Sequence, residues 1–328
     1  MIKFKSLFDY LKHSPSEQEC VNHLEEVIWE GKPPISPFDP TSKVYKCKNN
    51  RYKCKNTGKY FTAKSLTVFR NSKISLLDWF WTICFFSSNK KGMSSCQLAR
   101  NIGITQKSAW FMLHRSRYAF KDPIFINEML KGSVEIDETY VGGKNKNRHW
   151  DKKVPNSQGR SWKGKTPMLV MIQRGSYVIA QAVSDVKQET LEPIIRKHVE
   201  KGSNVYTDEW LAYNQLYKTY NHEIVNHRIK QYVSGNASTN SAENFNGFLK
   251  GGIHTYHWIS RKHAQNYADE FAFRFNTRKY EEQERFDLVL LSSGFQFTPN
   301  LLIKFNQIGS SSIIALGLLA LNGSEFFL

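Results

Sequence analysis

At 328 residues, with 40% hydrophobic and 23% charged residues, the chain has a globular composition and enough length for one sizeable core or two to three smaller ones. Its 46 Lys and Arg against 29 Asp and Glu leave a net charge of +17, a surplus that favours a polyanionic partner, nucleic acid before membrane. No uninterrupted apolar run reaches the roughly 18 residues a bilayer span needs. The start, Met1-Ile-Lys-Phe-Lys-Ser6, lacks the apolar core of a signal peptide, and five cysteines without a framework of close pairs suit a reduced, cytoplasmic protein.

In chain order, residues 1–34 hold a helix over 16–30, capped at Ser16, with Val21, Leu24, Ile28 and Trp29 on or near one face. Gly31-Lys-Pro-Pro34 ends it. Residues 35–72 alternate basic and aromatic residues around Tyr45-Lys-Cys47, Tyr52-Lys-Cys54 and Lys59-Tyr-Phe61, a pattern similar to the short hairpins of a zinc ribbon. Zinc needs four thiolate or imidazole ligands in two close pairs, which Cys47 and Cys54 cannot supply alone. The expectation is a zinc-ribbon-like module without zinc, held by its aromatics, in which Lys46, Lys53 and Lys55 track phosphates.

Residues 73–125 have helical periodicity and the layout of a helix-turn-helix. An apolar helix runs from Leu76 to Phe86, a short capped one from Ser94 to Asn101, and Gly103 makes the turn into Thr105–Arg117. The first turn of that last helix offers Gln106, Lys107 and Ser108 to base edges, while Trp110, Met112 and Leu113 are expected to stay with the core. A three-helix cap that never touches DNA is the bland alternative, and the basic charge disfavours it.

Residues 130–290 read as an α/β block. A strand at Ser133–Val141 precedes a basic loop, Lys144 to Lys165. A hairpin of Met168–Ile172 and Tyr177–Val183 turns at Arg174-Gly-Ser176. A helix over Thr190–Lys201 and a strand at Val205-Tyr206 follow. The tail, residues 291–328, ends in Ile313–Leu321, an apolar stretch too short to span a membrane and without a functional account.

Three acids stand out in this block. Asp137 lies mid-strand, where an acid is costly to bury unless something positive faces it, so it is either a salt-bridge partner or a metal ligand. Asp208 ends the short β-like run Asn204-Val-Tyr-Thr-Asp208. Glu243 opens an amphipathic helix with Asn240 or Ser241 as its expected cap and Ala242, Phe245, Phe248 and Leu249 as its apolar face. Lys250 follows Glu243 by two turns and shares its face. A strand Asp, a strand-end Asp and a helix Glu with a Lys beneath it are the parts of a two-metal phosphoryl-transfer site. His254, His257 and His263 have no spacing suited to a transition metal; DNA contact or packing explains them better.

The segments Val134-Glu-Ile-Asp-Glu-Thr-Tyr-Val-Gly-Gly-Lys144, Tyr206-Thr-Asp-Glu-Trp210 and Thr239-Asn-Ser-Ala-Glu-Asn-Phe245 resemble the catalytic blocks of IS1595-family (ISXO2-like) insertion-sequence transposases. The likeness continues through Leu249-Lys250, Thr255-Tyr-His257, Ser260-Arg-Lys-His263 and Glu270–Arg278. It implies an RNase H-like DDE transposase/integrase domain preceded by a degenerate zinc-ribbon-like module and a helix-turn-helix. It also implies a triad of Asp137, Asp208 and Glu243 with Lys250 as the associated base, and two Mg²⁺ or Mn²⁺ ions, Asp137 bridging them. The implied partners are double-stranded DNA, both terminal repeats and target, and further copies of the chain on the DNA ends. The implied location is the bacterial cytoplasm, on the nucleoid. Ser36-Pro-Phe-Asp39 stands where relatives carry a first Cys-x-x-Cys, and Thr57 where they carry the last cysteine. Asn246 replaces a common Trp, and Gly251 a second basic residue. Two rivals remain at this level: a DNA-binding regulator whose domain has lost its chemistry, and a structure-specific nuclease using the same metals.

Overall fold

The computed structural model of the chain describes residues 2–120, 129–142, 145, 149–155, 164–226, 233–234, 236–257 and 259–295. Most of the loop Lys144–Lys165 and the tail beyond residue 295 lie outside the described residues.

The N-terminal half gathers around one apolar helix. Helices α1 (Leu7–His13) and α2 (Glu17–Trp29) precede an antiparallel sheet of β1 (Val44–Lys46), β2 (Tyr52–Cys54) and β3 (Tyr60–Phe61). Helices α3 (Leu76–Ser88), α4 (Ser95–Ile102) and α5 (Gln106–Ala119) follow. Ser16 and Glu19 close a capping box on α2. The Glu17 carboxylate accepts from the Leu76 and Leu77 amides at 2.9 and 2.8 Å, so the first turn of α2 caps the first turn of α3. Leu76, Trp79, Phe80, Ile83 and Phe86 of α3 are fully buried in that cluster. The small sheet is held from beneath by aromatics: Tyr52 stacks on Phe61 at 5.6 Å and meets Trp29 edge-on at 5.1 Å. Its two thiols do not converge. Cys54 pairs with Val44 while the Cys47 amide pairs with the Arg51 carbonyl, which sets them about 10 Å apart along the hairpin. Burial pushes the Cys54 thiol up, but hydrogen bonds with Ser36, Ser42 and Thr57 outweigh it and bring it down to about 6.

The second half is a mixed five-stranded sheet in the order β6-β5-β4-β7-β8, formed by β4 (Ser133–Val141), β5 (Thr166–Gln173), β6 (Val178–Ala182), β7 (Asn204–Asp208) and β8 (Asn221–Val225). A two-stranded ribbon, β9 (Val233–Ser234) and β10 (Ala237–Ser238), lies beyond it. Strands β4, β5 and β6 run antiparallel, whereas β7 is parallel to β4. Helix α6 (Gln188–His198) makes the crossover between β6 and β7, and α7 (Asn240–Ile253) and α8 (Ala264–Asn276) follow β10. Strand β5 shows why its sequence reads as a continuous apolar run. Leu169 and Met171 pack with Leu191 and Ile195 on one face, and Met168, Val170 and Ile172 with Phe245, Leu249 and Phe271 on the other.

Helix α9 (Glu282–Phe295) returns to the N-terminal half. Phe286, Val289 and Leu290 pack with Phe4, Tyr10 and Phe80, although the sequence reading groups residues to 290 with the second half. The two halves also share a buried charge network. The Glu270 carboxylate of α8 accepts from Arg117 Nε at 2.8 Å, Arg274 Nη2 at 2.9 Å and Tyr256 Oη at 2.5 Å. Glu270, Arg117 and Arg274 are 0%, 1% and 5% exposed. Tyr256 presses on the α3–α4 turn, where a Cβ at Gly92 (φ +79°) would fall 1.9 Å from its hydroxyl. Glu270→Gln removes the carboxylate and leaves two buried guanidiniums under-compensated. It should cost about 3–5 kcal/mol in urea unfolding; a loss under about 1 kcal/mol would mean the arginines reach water when the partner goes.

Candidate active site

Two strand ladders and one helix start bring the acids together. The β4–β7 pairing ends at Glu135↔Tyr206, so Asp137 and Asp208, two residues further along each strand, face one another where the ladder has stopped. An opening at the C-terminal ends of parallel strands is where α/β sheets commonly hold ligands. Asp137, Glu138 and Asp208 each offer a carboxylate oxygen within 4.8 Å of the others. Alternation along β4 sends Asp137 toward α7 and Glu138 toward the opposite face, and Asp208 lies within reach of both.

No cation pairs with Asp137 among the described residues. Its oxygens accept from Asn246 Nδ2 and from the Glu138 amide, each at 2.8 Å. Glu138 is held by a hydrogen bond from the buried Tyr213 hydroxyl. Asp208 Oδ1 accepts from the Trp210 amide at 3.0 Å. Burial pushes the Asp137 carboxyl up to about 6, helped by the negative charges of Asp208 and Glu243 and opposed by its two hydrogen bonds. Burial likewise drives Glu138 up to about 8; Asp208 and Asp137 add to the rise while the Tyr213 hydroxyl resists it. Asn246 Oδ1 is buried beside Asp137 without a hydrogen-bond partner. Oxygen donors, clustered negative charge and an orphaned amide oxygen fit a hard divalent cation.

Glu243 does not enter the 4.8 Å group. It lies in the first turn of α7, exposed, with its charge felt at Asp137, and Lys250 is exposed two turns further on. The start of that helix corrects the expected cap. Thr239 precedes the first turn without a side-chain cap bond, and neither Asn240 nor Ser241 caps it. Instead the Ser241 and Ala242 amides donate to Glu135 Oε2 at 2.7 and 3.1 Å. Glu135 is 1% exposed and lies on the same face of β4 as Asp137. Its other oxygen accepts from Arg174 Nε at 2.7 Å. The Arg174 fork also reaches the Asn236 and Ser238 carbonyls and lies over the Tyr206 ring at 4.3 Å.

The proposed DNA-reading residues are spread over two surfaces. Gln106 and Lys107 are exposed at the start of α5, where Gln106 Nε2 donates to Ser95 Oγ at 2.8 Å. Ser108 is half-buried, and its amide caps onto Thr105 Oγ1. Met112 and Leu113 are buried, but Trp110 is 48% exposed and does not stay with the core; its ring lies 4.1 Å from that of His114. One turn further along α5, the buried His114 makes the contact with His263 and Tyr267 instead. Lys53 and Lys55 share the outward face of the small sheet. Lys46 has the opposite parity and reaches toward the Tyr52 ring at 5.9 Å. His263 packs 4.8 Å from His114, and Asn240 is exposed.

Sequence reading passed over Glu135, Glu138, Arg174, Tyr213 and the role of Asn246. Asn246 had a findable signal, one turn beyond Glu243 on the same helix.

Comparison with known proteins gives the chain its relatives. The ISXO2-like transposase domain profile matches residues 129–276. An uncharacterized protein in transposable element ISH50 of Halobacterium salinarum is 26% identical over 297 residues, 85% of this chain and 98% of that one. An uncharacterized transposase-like protein of Haemophilus influenzae is 30% identical over 107 residues, 32% of this chain and 86% of that one. Among solved structures, the Mos1 strand transfer complex matches at a TM-score of 0.26 and 14% identity, covering 66% of this chain and 78% of that chain. A pre-cleavage Mos1 transpososome matches at 0.23 and 12%, covering 90% and 99%. Likenesses that distant leave the fold to be described from its own topology. No helix of the described residues is long and apolar enough to cross a membrane.

Asp137 and Glu138 both titrate above their ordinary values of 3.8 and 4.5. Between about pH 4 and pH 8 the folded chain therefore holds protons that the unfolded chain has released, and its stability in chelator falls as pH rises. Asp137→Asn should raise the melting temperature at pH 8 by at least about 2 °C and do little at pH 4. Thermal scans with chelator at both pH values measure this; a variant less stable at both would show that repulsion is not what strains the site.

Proposed function

The chain belongs to the ISXO2-like transposase family, and on that premise we propose that it is a DDE-type DNA transposase. It binds the terminal repeats of its own insertion sequence, cuts the 3′ ends and joins them to target DNA. The observation that carries the reading is the convergence of Asp137 and Asp208 at the open end of the β4–β7 ladder, beneath a helix that presents Glu243. The strand order supports an RNase H-like domain.

Asp137, Asp208 and Glu243 would hold Mg²⁺ or Mn²⁺, two ions in all. Such ions, when bound, make a nucleophile from water or a 3′-hydroxyl and stabilise the leaving oxygen. The chain's own residues do the rest. Asn246 orients Asp137 from α7, and Tyr213 fixes Glu138 on the opposite face. Lys250, exposed beyond Glu243, meets a backbone phosphate. Gln106, Lys107 and Ser108 at the start of α5 read base edges, and Lys46, Lys53 and Lys55 meet phosphates. Two or more copies act on paired ends, in the cytoplasm and on the nucleoid.

A second ligand set has an observation in its favour: Glu138, not Glu243, lies in the close group with Asp137 and Asp208. Incubation with terminal-repeat duplexes and Mg²⁺ separates the two. Asp137→Asn, Asp208→Asn and Glu243→Gln should each lower cutting and joining by at least about 100-fold, the scale on which losing one transition-state charge interaction acts. End binding should survive, because it rests on the basic N-terminal half. Glu138→Gln should then cost less than about tenfold by the same scale. Full loss in Glu138→Gln beside an active Glu243→Gln would move the third ligand to Glu138. Cut but never joined DNA from the wild type would make the chain a nuclease.

Recognition is tested separately. Gln106→Ala should cost about 1–3 kcal/mol on the cognate end and little on scrambled duplex. Lys53→Ala should weaken both alike and lower the salt slope by roughly one unit. Equal loss on both duplexes for Gln106→Ala would take α5 out of the major groove.

A further inference from the structure

The small N-terminal sheet has one face built for more than phosphates. Strand register sets Tyr45 opposite Lys53 and Lys53 opposite Tyr60, a row of aromatic, cation, aromatic across three strands. The alternate row supplies Tyr52 and Phe61 to the core, so Tyr45 and Tyr60 face outward, 43% and 48% exposed. Lys43 and Arg51 continue the outward parity on either side of that row, as does Lys55. Residues 31–70 hold ten lysines and arginines against a single acid, Asp39, which is occupied by Thr41 and Asn56. The cations already rest on the rings: Arg51 lies 4.5 Å from the Tyr60 centroid, Lys53 5.5 Å from it, and Lys43 5.6 Å from that of Tyr45.

We propose that this outward face binds unpaired DNA, with Tyr45 and Tyr60 each stacking on a base and the flanking Lys43, Arg51, Lys53 and Lys55 meeting its phosphates. Cations alone suffice for a duplex, whose bases are stacked away from a flat protein surface. Exposed rings add affinity only where bases are splayed out, and stacking of that kind tolerates any sequence. Two strand spacings separate the rings by about 10 Å, too far to stack on one another, so each offers its own surface. A cation over one face of a ring leaves the other face for a base and places charge beside the adjoining phosphate. The inference leans on the proposed transposase function only for choosing DNA over RNA, and its test needs no catalysis.

The test is fluorescence anisotropy of a labelled oligothymidine and of a labelled random duplex of equal length, titrated with the full chain in chelator. Tyr45→Ala/Tyr60→Ala should weaken oligothymidine binding by roughly fivefold or more for each ring, with duplex affinity kept within about twofold because every cation remains. Tyr45→Phe/Tyr60→Phe should restore the single-strand affinity, since the stacking ring is kept without its hydroxyl. Equal losses on both DNAs, no loss, or failure of the Phe pair to restore binding would reduce the face to an electrostatic surface. Ultraviolet cross-linking of the wild-type chain to the same oligothymidine needs no variant. Adducts at Tyr45 or Tyr60 support the assignment, and adducts confined to other segments overturn it.

Discussion

The buried carboxylate of Glu135 is the interaction on which the proposed site depends. One oxygen takes the first free amides of α7, the other takes Arg174, and the residue sits two positions before Asp137 on the same face of β4. A helix N-terminus carries unsatisfied amides and a partial positive charge, so a buried acid there is stabilised twice. The guanidinium, stacked on Tyr206 and forked onto the carbonyls of Asn236 and Ser238, then neutralises what remains. Strand β4, strand β7, the β5–β6 turn and the start of α7 are thereby joined at one point. Glu243 lies within the first turn after that point and Asn246 one turn further, so their reach toward Asp137 is set by a bond neither of them makes.

That arrangement divides labour among four acids that sequence alone cannot sort. Glu135, with a full set of partners, is structural. Asp137 and Glu138 are held by hydrogen bonds but by no cation among the described residues, and both are driven toward their neutral forms. Carboxylates kept close in that way repel one another until something positive arrives. The cost of assembling them falls on the rest of the fold: a sheet buried on both faces and the clamp beneath it.

Much of this was legible beforehand, for physical reasons. Acids inside β-forming runs are rare enough to draw attention, which exposed Asp137 and Asp208, and the apolar face of α7 made Glu243 a helix residue. The hairpin turning at Arg174-Gly-Ser176 and the capped helices of the N-terminal half follow from local chemistry. What could not be read is what depends on long separations. Glu135 and its partners lie 39 and 106 residues apart, and a period-two pattern gives no reason to prefer a buried glutamate one face-step from an aspartate. Glu138 was hidden by the same pattern, which turns neighbours to opposite faces; only the end of the β4–β7 ladder lets both meet Asp208. Trp110 was misread because residue type was taken for burial; one turn on, it is His114 that meets Tyr267 of α8, and Trp110 stays 48% exposed beside it.

The link between the halves bears on how recognition and chemistry are coupled. Helix α5 carries the proposed base-reading residues at its start and Arg117 near its end, and Arg117 is buried against Glu270 of α8. Helix α8 in turn packs on the sheet through Ala264, Ala268 and Phe271. An ion pair with both partners fully buried cannot slide without exposing an uncompensated charge, so it favours a single register over a range of orientations. Helix α9 reinforces this by inserting Phe286 between Phe4, Tyr10 and Phe80. Among the described residues, the path from Gln106 to Asp137 runs through packed helices and a buried charge network. If α5 takes a duplex as proposed, this buried packing is what would set the angle at which that duplex meets the acidic cluster.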